Sequence, residues 1–160
     1  MTRVLPLLPF FLLLMPSSGA SQQWSAEQQE VLDKVKMCWT VWSETVMAKD
    51  LTPWLEQCQP SEDITSWDTS SGVLWNLEFQ SRQFPEWVRN VRRYWWQAVQ
   101  PLDIRIYDDM ALVWFFVTYA HEDTSGVVTR IQQKRFEVFQ KYDGEWHWLG
   151  AMGSAEEVGS

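Results

Sequence analysis

The sequence predicts an α+β roll, with three N-terminal helices packed in a strongly curved, mostly antiparallel sheet of about six strands. Two observations carry this reading. From Ser25 to Ala48 apolar residues recur three and four apart, the period of a helix with one buried face. From Leu102 to Met152 the chain reads as four strands in a row, and the turn Tyr142-Asp143-Gly144 is a strong hairpin signal. Helices followed by such a meander lie on one face of the sheet, and a curved sheet over helices encloses a pocket.

The elements follow in order. Ser25-Ala26-Glu27-Gln28 is a capping box, in which Ser and the Gln three residues later each satisfy a free backbone N–H. The helix after it carries Leu32, Val35, Trp39, Trp42 and Val46 on one stripe and runs to about Ala48. A short second helix is expected over Leu51 to Cys58, with Thr52 as its cap and Pro53 at its first position, where the missing N–H costs nothing. Ile64 to Asp68 and Val73 to Phe79 are expected strands around the loop Thr69-Ser70-Ser71-Gly72, with Val73, Trp75, Leu77 and Phe79 facing one way. A third helix is expected from near Pro85, with Trp87, Val91, Tyr94, Trp95 and Ala98 as its stripe and Pro101 at its end.

Leu102, Ile104 and Ile106 then alternate with polar residues, and Asp108-Asp109 turns the chain. Met110 to Ala120 is apolar on both faces, the mark of a central strand, and His121 to Gly126 reads as a polar loop. A straight strand from Val127 to Lys141 would span ~50 Å, so it is expected to bend at a bulge. Glu145 to Met152 closes the sheet.

At 160 residues the chain is long enough for one domain with a real core. Residues 1–20 read as a secretory signal peptide: Arg3, the apolar run Val4 to Met15, then Ser18-Gly19-Ala20 with cleavage expected after Ala20. The run falls short of the ~20 residues a membrane-spanning helix needs. The folded domain is expected over 21–154, with 155–160 as a disordered tail, and the product is expected in the periplasm or outside the cell. Without residues 1–20, 12 Lys and Arg face 21 Asp and Glu, a net charge of −9. Such a surface repels phosphate backbones and speaks against nucleic acid as a partner. Arg89, Arg92 and Arg93 are the local exception, a basic stripe at helical spacing that reads as a solvated face, an acidic partner or anion being the alternative. Cys38 and Cys58 can form a disulfide in an oxidising compartment; two buried free thiols are the alternative.

Two local patterns resemble the nuclear transport factor 2-like superfamily, which includes SnoaL-like and ketosteroid-isomerase-like proteins. Ala48-Lys49-Asp50-Leu51 resembles the family's junction between its first two helices. Arg135-Phe136-Glu137-Val138-Phe139-Gln140-Lys141-Tyr142-Asp143-Gly144-Glu145-Trp146 resembles its penultimate strand, Asp-Gly turn and final Trp-bearing strand. The resemblance covers about residues 24–154 and implies the cystatin-like roll described above. It also implies positions for chemistry. The isomerases' catalytic base falls on Asp68. Their oxyanion-holding Tyr falls at Trp42 and their neutral carboxylic acid near Phe136, so only one of three roles is kept. Histidines that SnoaL-like relatives carry on the last strand correspond to Gly150 and Met152, and their Ser to Ser154, which implies a small, apolar lining there.

Other chemistry is scarce. His121 and His147 are the only histidines. His121-Glu122-Asp123 reads as a solvated loop, so no metal and no cofactor is expected. The 12 tryptophans are the remaining signal. Trp39, Trp54, Trp75, Trp87, Trp95 and Trp148 are expected in the core, and Trp42, Trp67, Trp114, Phe116 and Tyr119 along a pocket wall. The leading expectation is a pocket binding a small apolar or aromatic ligand. The first alternative is a small acid–base enzyme, an isomerase, cyclase or dehydratase, using Asp68 with Tyr119 or a Trp N–H as donor. The second is a homodimer or interaction module that pairs through the outer face of the sheet.

Overall fold

The computed structural model describes residues 23–58 and 65–158. The expected signal peptide lies outside the described residues, as do Ile64 and residues 159–160. The elements run α1 (Ala26–Ala48), α2 (Thr52–Gln57), β1 (Thr65–Asp68), β2 (Val73–Trp75), α3 (Leu77–Arg89), β3 (Val91–Tyr107), β4 (Met110–Asp123), β5 (Val128–Tyr142) and β6 (Glu145–Glu157). One six-stranded sheet has the order β2-β1-β6-β5-β4-β3. β3 to β6 form the antiparallel meander, and β1 joins β6 in parallel. This is an α+β roll, as the sequence predicts.

α1 begins at the expected capping box: the Gln28 N–H donates to Ser25 Oγ and the Ser25 N–H to Gln28 Oε1. It ends at Lys49, left-handed at φ 58, whose N–H bonds back to the last turn. Val31, Leu32 and Val35 press on Ile104, Ala111, Val113, Phe115, Val117 and Phe139 of the concave sheet face, which forms the main core. α2 lies within its expected range, but its N-cap is Leu51 and not Thr52. Thr52 is inside the helix, and the Asp50 carboxylate accepts its N–H at 3.0 Å. Cys38 and Cys58 are joined as a disulfide, their Cα atoms 5.7 Å apart, which fastens the end of α2 to α1.

Four expectations need correction. Val73–Phe79 is a strand only as far as Trp75, because the Asn76 side chain accepts the Phe79 N–H at 2.8 Å and starts α3 there. Pro85 lies inside that helix instead of opening it. The stretch Val91–Ala98 is strand, paired with His121, Tyr119 and their neighbours on β4, so the expected helical stripe does not exist. Of the three arginines, Arg89 stands on α3 and Arg92 and Arg93 on β3, where both approach Glu122.

The bends also lie elsewhere. β5 pairs with β4 without interruption, whereas β3 carries extra residues at Arg92, Gln97 and Leu102. Each bulge increases local twist and turns the long edge strand around the helices. A further bulge at Leu149 on β6 breaks the register with β5. Residues 155–157, expected in the tail, continue β6 opposite Ile131–Gln133. Among the described residues no helix is long and apolar enough to cross a membrane.

Candidate functional site

A cavity of about 350 Å³ opens between the helices and the concave face of the sheet. Half of its lining residues are aromatic. α1 supplies Trp39 and Trp42, one helical turn apart. α2 adds Trp54, and α3 adds Phe84 and Trp87. β3, β4 and β6 contribute Tyr94, Tyr119 and Trp148. The rings brace one another: Trp42 stacks on Trp87 at 6.1 Å and meets Trp54 edge-on at 5.2 Å, and Trp39 stacks on Tyr119 at 5.9 Å. Edge-on and offset contacts of this kind hold large side chains rigidly around a space they do not fill.

The floor is polar and comes from β5. Arg135 and Glu137, two residues apart, point to the same side of the strand and line the cavity. The Arg135 Nε–H and Nη2–H both donate to Glu137 Oε1, at 3.1 and 2.8 Å. Glu137 is only 5 % exposed. Burial pushes its carboxyl above the usual range, while the Arg135 charge and hydrogen bonds pull it back in part. Arg135 can lie flat because its neighbour on β6 is Gly153, where a Cβ would sit 2.9 Å from Arg135 Cδ. Gly150 has a parallel role: a Cβ there would be 2.6 Å from the Thr65 carbonyl oxygen and would push β1 away.

Asp68 reaches the cavity from β1, two strands from Arg135 in the row Asp68, Gly153, Arg135. Its carboxylate is held by the turn that follows, accepting the Ser70 N–H at 2.9 Å, the Ser70 hydroxyl at 2.5 Å and the Ser71 hydroxyl at 2.7 Å. Partial burial pushes this carboxyl up, but the hydrogen bonds outweigh it, and Asp68 sits below the usual carboxylate range. A carboxylate so held is a weak proton acceptor. Tyr119 is pushed up to about 12 by burial, with Arg135 opposing, so its phenol stays protonated. Tyr94, fully enclosed, is raised well beyond its ordinary value by burial.

Of the expected wall residues, Trp42 and Tyr119 line the cavity and the other three stand elsewhere. Ser66 and Asp68 point inward, so Trp67 between them points out and is 50 % exposed. On β4 the odd positions 111–117 are buried in the core, which puts Trp114 and Phe116 on the convex face. There Trp114 packs on Phe136 at 4.9 Å beneath the Arg105 guanidinium. Phe136 is likewise outside; its neighbours Arg135 and Glu137 are the inward pair. The small residues facing the cavity on β6 are Gly153 and Ala155, not Gly150, Met152 and Ser154. The bulge at Leu149 shifts the parity after Trp148, so counting from the Trp beyond the Asp-Gly turn lands on the wrong face.

Trp39, Trp54, Trp75, Trp87 and Trp148, expected in the core, all border the cavity. Sequence reasoning missed Arg135 and Glu137 as site residues. Their signal was present: they alternate with Phe136 and Val138 and share the parity of Phe139, which is wholly buried. Among the described residues no cluster of His, Cys, Asp and Glu is placed to hold a metal ion.

No family model matches the chain, and no curated protein matches it. Solved structures do. A conserved protein from Planctomyces limnophilus superposes with a TM-score of 0.65 at 13% identity, over 81% of this chain and 99% of that one. A nuclear transport factor 2-like superfamily protein from Salmonella enterica gives 0.62 at 11% identity, over 83% and 92%. The CaMKII hub of S. rosetta gives 0.62 at 15% identity, over 84% and 100%. Helices on the concave face of a six-stranded sheet, the parallel β1–β6 pair and these superpositions together show that the chain has the nuclear transport factor 2-like fold.

Proposed function

We propose that this chain binds a small apolar or aromatic ligand in the cavity above β5 and β6. The observation that carries the reading is the cavity itself: about 350 Å³, walled by braced aromatic rings, with one buried ion pair on its floor. Pockets of this size with few convergent polar groups suit small organic ligands. Asp68 offers less to acid–base chemistry, because its turn holds it as a weak base. Native mass spectrometry of protein purified from its own periplasm or medium, compared with denatured protein, tests the reading. A non-covalent mass excess lost on denaturation supports it. Ligand-free protein whose tryptophan fluorescence ignores a panel of aromatic probes would sink it.

The same sample tests export. A polypeptide beginning after Ala20 is expected, and the Cys38–Cys58 disulfide suits an oxidising compartment. An intact Met1 terminus would end that proposal.

A second reading concerns the convex face. Leu74, Trp67, Met152, Phe136 and Trp114 stand opposite one another across five strands. Leu74, Trp67 and Met152 are 54, 50 and 43 % exposed. An apolar row of this extent fits pairing with a second copy, and hub domains share the fold. Light scattering should give a dimer mass for the wild type and a monomer mass for Trp67→Glu. A wild-type monomer at working concentration removes this reading and leaves the first untouched.

A further inference from the structure

We propose that the cavity takes a small organic cation, an ammonium bearing apolar or aromatic substituents, in preference to a neutral or anionic molecule. This rests on the ligand-binding reading and names the chemical class of its ligand.

The walls favour positive charge. The face of an aromatic ring carries negative potential, and cations seated over Trp or Tyr in a desolvated site are held by it. The wall already holds one cation in this way: the Arg135 guanidinium lies 6.0 Å from the centre of the Trp39 ring. Tyr94 and Tyr119 stay neutral in their buried positions, so they act as polarised rings and not as charges.

Among the described residues, the charges lining the cavity are Asp68, Arg135 and Glu137. Two of the five Arg135 N–H groups, on Nε and Nη2, are directed at Glu137 Oε1, which ties the guanidinium to the floor. Glu137 and Arg135 are paired with each other, and Asp68 stands outside that pair. Asp68 lines the cavity directly, so its charge faces the interior. An anionic ligand would face two carboxylates and a guanidinium already paired with one of them. An ammonium head would meet ring faces and a carboxylate outside that pair. The net charge of −8 over the whole chain adds an attractive approach field for cations.

The test compares probes of one shape and different charge on the full folded protein. Benzyltrimethylammonium and its uncharged carbon isostere neopentylbenzene are titrated against tryptophan fluorescence at low salt, with benzoate as the anion. The proposal expects the ammonium to bind at least tenfold more tightly than the isostere and benzoate to bind most weakly. It also expects the ammonium's advantage to shrink severalfold in Asp68→Asn and at high salt, with the isostere unaffected by the substitution. Equal affinity for ammonium and isostere overturns the cation inference and leaves ligand binding standing. Tighter binding of benzoate overturns it as well and points to Arg135 as the anchor. Failure of every probe counts against both. The wild-type comparison needs no variant, so a poorly folding Asp68→Asn cannot shield the proposal.

Discussion

The two faces of the sheet use the same kinds of residue to opposite ends. On the concave face, aromatic rings from three helices and four strands surround a space, over a buried Arg135–Glu137 pair. On the convex face, Trp114 and Phe136 pack together and Trp67, Leu74 and Met152 stand half open to solvent. Adjacent residues of one strand serve both: Phe136 outward, Glu137 inward. Composition does not separate the faces. Parity does, and parity is reset wherever a bulge occurs.

Substitutions on one strand should therefore separate sharply. Phe139→Ala removes a fully buried ring and should cost ~3–5 kcal/mol in chemical denaturation. Phe136→Ala, on the other face, should cost far less, about 1 kcal/mol. Similar losses would mean that the convex face is covered as completely as the core.

The disulfide should come next. Its 20-residue separation implies ~3 kcal/mol of stabilisation by limiting the unfolded chain. Paired Cys38→Ser and Cys58→Ser substitutions should lower stability by about that amount and weaken probe binding, because Trp54 of the cavity wall lies on α2 between them. Probe binding that survives with full affinity would show that α2 is held by packing alone.

The pH dependence of two carboxylates should have opposite signs. The folded state raises Glu137, so its favourable contribution exists in acid and is lost as pH rises through the folded value. Glu137→Gln should therefore gain on the wild type as pH rises from 4 to 7. The folded state lowers Asp68, so its contribution exists above the unfolded value and is lost as pH falls. Asp68→Asn should be less stable than wild type at neutral pH and equal to it in strong acid. Denaturation curves across this range that show one common sign would contradict the separation of floor and rim.

The smallest effect on stability is expected at Trp67→Ser, within ~0.5 kcal/mol. On the pairing proposed for the convex face, sedimentation should show weaker self-association than in the wild type.

The sequence shows α1 and β4 to β6 openly, because their side chains keep a simple period: three and four on the helix, two on the strands. β3 hides itself. With extra residues at Arg92, Gln97 and Leu102, the residues opposite the inward positions of β4 are 91, 94, 96, 99, 101, 104 and 106. Their spacing alternates between three and two, so Val91, Tyr94 and their neighbours imitate a helical stripe. The same cause explains the misplaced wall. Trp67 and Trp114 are large and apolar, but each has inward neighbours on either side, and size does not reveal facing. Tyr119 was legible only as an aromatic; its partnership with Trp39 and Tyr94 depends on the curl that the bulges impose. Arg135 and Glu137 were hidden because a charged pair on a strand ordinarily marks the solvent side. Here each charge is the other's solvent.

Gly153 has one more consequence. It separates Asp68 from Arg135 with bare backbone, and the guanidinium rests where a side chain would otherwise stand. The depth of the cavity is thus set by an omission on β6. A methyl group at that position would stand 2.9 Å from both Arg135 Cδ and the Lys134 carbonyl oxygen, so it would disturb the floor side chain and the strand that carries it. Position 153 therefore couples the floor of the vessel to the backbone of β5 and, through Arg135, to the Trp39 ring.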